Sequence, residues 1–91
     1  MALRTVQVWS SGYGTFIYRV QNGLTASVRP WTPIGGATIT EFRYQPYGAF
    51  MGQALMRVCN VSPGNGFVDV RVEIGWNSYL VFQLTLLLDA P

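Results

Sequence analysis

The chain has 91 residues, of which 49% are hydrophobic and only 11% charged, and its formal net charge is +2. This length predicts one domain over residues 1–91, near the lower limit for a single hydrophobic core. Average soluble domains carry roughly 25% charged residues, so the composition predicts that a partner covers part of the apolar surface. A net charge this small argues against nucleic acid as that partner.

Apolar and polar residues alternate over most of the chain, which is typical of β-strands because successive side chains point to opposite faces. The pattern predicts seven strands, at residues 3–10, 15–21, 24–29, 37–44, 53–61, 67–74 and 79–88. Seven short strands separated by turn signals predict an all-β fold, a single antiparallel β-sandwich or jelly-roll-like barrel.

Turn residues predict how some of these strands are joined. Asn22-Gly23 is the sequence favoured in type I′ hairpin turns, so it predicts a hairpin that pairs residues 15–21 with 24–29. The turn Gly75–Ser78 predicts a second hairpin between the last two strands, which have the clearest alternation. Proline and glycine make 30–36 and 45–52 the two long connections.

Two of the strand assignments leave an alternative open. Residues 53–61 contain good helix formers in Ala54–Arg57, but Val58, Cys59 and Val61 favour a strand. In residues 37–44 the alternation changes phase, which predicts a bulge or an exposed edge.

The chain lacks the usual equipment for catalysis or metal binding. It has no histidine and one cysteine, Cys59, which excludes an internal disulfide and an ordinary metal or nucleophile site. Asp69 and Glu73 lie roughly 13 Å apart on one strand face with Arg71 between them, which indicates an exposed charge ladder. We therefore expect no enzyme activity, no cofactor and no metal.

The N-terminal segment 1–6 has no apolar run behind a charged head, so we expect no signal peptide. No segment approaches the ~18 consecutive apolar residues of a membrane helix, and we expect no membrane span. With one cysteine and no disulfide, the sequence predicts a protein made in the cytoplasm.

Aromatic residues and arginines are the candidate binding groups. Tryptophan, tyrosine and arginine are enriched in protein interfaces, but the same rings also suit turn packing or stacking on a sugar. Stacking on single-stranded nucleic acid is disfavoured by the small net charge. The predicted apolar anchors and the arginines that would reach partner carboxylates are Trp9, Trp31, Tyr47, Phe50, Trp76, Arg29, Arg43 and Arg57.

In its ten glycines, its aromatic content, its few charges and its lack of histidine and of disulfides, the sequence resembles the small all-β proteins that decorate bacteriophage capsids. The resemblance implies a structural subunit of a virion, a homo-oligomer that binds a shell of coat proteins. No motif assigns individual residues to that role. The alternative is a small carbohydrate-binding lectin-like module, suggested by aromatic and amide residues in turns such as Gly75–Ser78.

Overall fold

The computed structural model describes residues 3–90, which form two antiparallel sheets packed face to face. The seven strands are β1 (Leu3–Gly12), β2 (Gly14–Val20), β3 (Ile34–Tyr44), β4 (Tyr47–Phe50), β5 (Leu55–Pro63), β6 (Val68–Gly75) and β7 (Leu80–Asp89). Sheet A has the order β1-β7-β3-β4, and sheet B has the order β2-β6-β5. The predicted all-β sandwich class is confirmed. The described range excludes residues 1, 2 and 91. These are the two ends of the predicted domain, and residues 1 and 2 also begin segment 1–6.

The core lies between the sheets and is formed mainly by β6 and β7, each of which has a pairing partner on both sides. Alternate residues of these two strands are fully buried: Val68, Val70, Val72, Ile74, Phe82, Leu84, Leu86 and Leu88. Phe16 and Tyr18 of β2 add their rings, with centroids 6.1 and 5.8 Å from that of Phe82. Burial of each large aliphatic side chain stabilises the fold by about 1.5–3 kcal/mol. The alternation in residues 67–74 and 79–88 predicts that these same residues share one apolar face of each strand, and that prediction is confirmed.

The predicted hairpin between the last two strands is wrong, because β6 and β7 belong to different sheets. β6 pairs with β2 and β5, whereas β7 pairs with β1 and β3. The connection between Gly75 and Leu80 therefore carries the chain across the core. Each strand gains cover for its apolar face from the other sheet, which two neighbours in one sheet could not provide.

The predicted third strand and its type I′ turn are also wrong. Asn22 is extended and caps a 3-10 turn at Gly23–Thr25, where its Oδ1 accepts a hydrogen bond of 2.7 Å from the Leu24 amide. Thr25 is fully buried and its hydroxyl donates to the carbonyl oxygen of Gly66 at 2.8 Å. Side-chain caps of this kind compete with strand pairing for the backbone groups, and here they prevail.

The predicted connection 45–52 contains β4, which pairs with the end of β3. Residues 53–61 are confirmed as a strand, because β5 occupies most of that range and pairs with β6. Its register shifts at Cys59, and the register of β3 shifts at Gly35, just before the segment where the sequence predicts a bulge or an edge.

Adjacent leucines of β7 give a matched test of the core. Leu86 is fully buried, whereas Leu87 points outward and is 36% exposed. Leu86→Ala should lower the free energy of unfolding by roughly 2–5 kcal/mol, because it leaves a cavity between the sheets. Leu87→Ala should cost less than about 1 kcal/mol. Urea unfolding measures both, and equal losses would contradict the assignment of faces.

Candidate interaction surface

An aromatic cluster covers one end of the outer face of sheet A, the face turned away from the core. It consists of Trp9, Phe42, Tyr44 and Tyr47, which lie on β1, β3 and β4. The centroid of the Phe42 ring lies 5.9, 5.3 and 4.9 Å from those of Trp9, Tyr44 and Tyr47, all in edge-to-face arrangements. Phe42 is only 4% exposed although it does not belong to the core, so its neighbours on the outer face cover it.

The other rings of the cluster remain accessible. Tyr47 is 72% exposed and Tyr44 is 62% exposed, while the Trp9 indole is fixed by a 3.2 Å hydrogen bond from its Nε1 to Oε1 of Gln83. Ordered aromatic rings at a solvent boundary lose little conformational entropy when they are covered, which is why such rings anchor interfaces.

The rest of this outer face is almost free of charge. In the middle, Gln7 Nε2 donates to Thr85 Oγ1 at 3.2 Å. Among residues 3–90, Asp89 is the only charged residue on this face. The strand pairing places the following residues there: Leu3, Thr5, Gln7, Trp9, Ser11, Gly36, Thr38, Thr40, Phe42, Tyr44, Tyr47, Ala49, Val81, Gln83, Thr85, Leu87 and Asp89. The surface thus carries a single charge at one end, aromatic rings at the other, and amides and hydroxyls in the middle.

The outer face of sheet B has the opposite character. Arg19 donates two hydrogen bonds to the Asp69 carboxylate, at 2.8 and 3.0 Å, and Arg57 forms an ion pair with Glu73. Arg71 donates to Asn60 Oδ1 at 3.1 Å. The structure therefore places the charge ladder of β6 outward, and neighbouring strands supply its partners.

A cleft opens at the same end of the sandwich as the aromatic cluster. It has a volume of about 260 Å³ and lies where the ends of β3 and β4, the β4–β5 connection and the β6–β7 connection meet. Its lining residues are Glu41, Phe50, Gly52, Gln53, Ala54, Trp76 and Leu80. We call it the Glu41 cleft. The guanidinium carbon of Arg43 lies 4.6 Å from the centroid of the Phe50 ring at its margin.

The turn Arg29–Thr32 lies at the opposite end of the sandwich, before the start of β3. It is held by hydrogen bonds between Arg29 and Thr32 in both directions, at 2.8 and 2.9 Å. Thr32 is buried, whereas Trp31 is 79% exposed. The turn therefore presents an indole to solvent on a fixed backbone.

The predicted binding residues thus fall into three places. Five lie at the end that carries the aromatic cluster and the Glu41 cleft: Trp9, Arg43, Tyr47, Phe50 and Trp76. Trp31 and Arg29 lie at the other end, and Arg57 lies on sheet B, where Glu73 of the same chain is its partner.

Sequence reasoning missed Phe42, Tyr44 and Glu41 as members of these surfaces. Phe42 and Tyr44 follow the same outward alternation as Thr38 and Thr40, so they could have been assigned to that face. The cluster itself was not predictable because β4, which contributes Tyr47, lies in a segment with the composition of a loop.

Within residues 3–90, no group of histidine, cysteine, aspartate or glutamate side chains is arranged to hold a metal ion. Over the same range, no helix has the length and apolar character needed to cross a membrane. Comparison with protein-family models, with curated proteins and with solved structures gives no match.

The Arg19–Asp69 pair predicts a pH dependence of stability. Hydrogen bonds from Arg19 lower the pKa of the Asp69 carboxyl from its ordinary value. Because the folded pKa is the lower one, the pair stabilises the fold above the unfolded pKa of about 3.9, and this contribution is lost as the pH falls below it.

Asp69→Asn should therefore reduce the fall in the free energy of unfolding below pH ~4, measured by urea unfolding at a series of pH values. Arg19→Gln should have the same effect, since it removes the other partner. If either variant retained the full acid dependence of the wild-type protein, the pair would not be its source.

Proposed function

We propose that the protein is a structural assembly subunit, which self-associates and binds other structural proteins as capsid decoration proteins do. The outer face of sheet A, with its aromatic cluster, is the contact surface in this proposal. The observation that carries it is the concentration of exposed rings on a face whose only charged residue within 3–90 is Asp89. Depletion of charge with enrichment of aromatic residues distinguishes the centre of an interface from ordinary surface.

The size of this face supports the proposal. The two largest dimensions of the molecule are 36 and 26 Å. A broad face of that size offers an area on the order of the 800 Å² that each partner contributes to a standard protein interface. One sheet face is therefore large enough for a stable contact.

The edge of sheet A supports it as well. β1 is an edge strand of ten residues that pairs with β7 along its whole length without a register shift. The other edge strands are less suited to pairing with another chain: β4 has four residues, β2 has seven, and β5 is interrupted at Cys59. A long regular edge without proline or lysine favours association between copies.

Binding of a neutral sugar is the second candidate function, and one feature of the same surface favours it. The Trp9 indole is held by Gln83 beside the Gln7–Thr85 pair, so that a ring, amides and hydroxyls lie together. Saturable binding on a glycan array, with a change in tryptophan fluorescence, would support this alternative over assembly.

The assembly proposal predicts a molar mass in solution above the 10.1 kDa of one chain, measured by light scattering over a series of concentrations. Tyr47→Ala should weaken self-association by about tenfold or more, because it removes an exposed ring from the contact surface. The free energy of unfolding should fall only by the edge-to-face contact with Phe42, about 0.5–1.5 kcal/mol, since Tyr47 is otherwise largely exposed.

Ile17→Ala is the matched control, because Ile17 is 56% exposed but lies on the charged outer face of sheet B. Association should be unchanged in this variant. A wild-type protein that stays monomeric at its highest soluble concentration would contradict the proposal, as would equal effects of the two substitutions.

A further inference from the structure

One carboxylate in the Glu41 cleft has no partner of its own. Asp69 and Glu73 are each paired with an arginine, but the carboxylate of Glu41 forms no hydrogen bond or ion pair with any residue of 3–90. It is only partly exposed. A cation that reached this carboxylate from outside would form a charge-assisted hydrogen bond with it without displacing a partner within the chain.

The walls of the cleft match a cation on an apolar stem. Phe50 and Trp76 line the cleft, and aromatic faces attract guanidinium and ammonium groups. Among residues 3–90, Glu41 is the only charged residue that lines it, and Arg43 lies at its margin. The volume of about 260 Å³ is below the range of about 300–1,000 Å³ for small-molecule sites, so the cleft suits one side chain better than an oligosaccharide.

Gly52 keeps the carboxylate accessible in this position. A Cβ added at residue 52 would overlap Oε1 of Glu41 and lie 3.4 Å from the Phe50 ring. Any larger residue would therefore displace the carboxylate or close the cleft. Glycine provides space here and no special backbone conformation, because its φ is not positive; a larger residue would turn the flexible Glu41 side chain away.

The chain has six arginines and no lysine. Only one of the six is placed so that, in a second copy of the chain, it could enter this cleft and pair with Glu41. Arg19 and Arg57 are paired with carboxylates, and Arg71 is bonded to Asn60. Arg4 is bonded to Ser27 in a partly buried position. Arg43 stacks on Phe50 at the end of the molecule that carries the cleft.

Arg29 is the remaining arginine, and it lies at the opposite end beside the exposed Trp31. Its guanidinium is held only through Nη1, by the carbonyl oxygens of Ala26 and Val28 at 3.1 and 2.8 Å. From Ile34 to Glu41, β3 extends for roughly 23 Å at 3.3 Å per residue. Because Arg29 precedes that strand, it cannot reach Glu41 of its own chain.

We propose that the Arg29–Thr32 turn of one copy docks into the Glu41 cleft of the next, with Arg29 pairing with Glu41 and Trp31 covering the rim. This contact, between the two ends of the sandwich, adds to the contact through the outer face of sheet A, and it rests on the proposed function. The two contact surfaces differ, so the interface is heterologous, and repetition produces a ring or a filament.

Charge exchange tests the contact directly. Glu41→Arg and Arg29→Glu should each weaken self-association by about tenfold or more, because each places like charges opposite one another. Mixing the two variants should restore association, since Arg29 of the Glu41→Arg variant meets the native Glu41 of the other variant. Molar mass by light scattering is the measurement. Arg71→Gln, which removes an arginine from the outer face of sheet B, is the control and should associate as the wild type does.

Milder variants keep the test decisive if a charge exchange damages the fold. Glu41→Gln and Gly52→Ala should both weaken association, while circular dichroism checks that the sandwich is intact. If the wild-type protein associates and these variants associate equally well, the head-to-tail contact is refuted and the assembly function stands. Loss in the charge-exchange variants without restoration on mixing also refutes the contact. A monomeric wild type refutes both.

Discussion

The packing of β6 against β7 across the core is the contact on which the rest of the structure depends. Valines of one sheet meet leucines of the other, and each strand is also flanked by partners within its own sheet. Only one face of a strand can be buried in this way. The core therefore determines which residues remain for the two outer faces.

The two outer faces obey the same alternation but differ in chemistry. On sheet B, charged residues of β6 find partners on both neighbouring strands, so this surface is polar and satisfied within the chain. On sheet A, the corresponding positions of β7 hold glutamine, threonine and leucine, and aromatic rings accumulate beside them. A chain with few charges has thus placed half of them on one side. The outer face of sheet A is therefore the less polar of the two.

The two ends of the sandwich differ as well. Chain crossings between the sheets and the β3–β4 hairpin bring aromatic rings together at one end, where Tyr13 and Tyr79 also make an edge-to-face contact with centroids 5.0 Å apart. The other end carries the ordered Arg29–Thr32 turn. The two ends therefore present different surfaces to a partner.

The residue pattern by itself determined most strand positions and the inward faces of β6 and β7, because alternation depends only on which side of a strand each residue occupies. It also indicated the outward ladder around Arg71. It could not determine pairing, since a strand shows the same alternation whether its neighbour in sequence lies beside it or across the core. Tertiary structure therefore decided that β6 and β7 separate, that Asn22 caps a turn, and that Phe42 is buried outside the core by rings from two other strands.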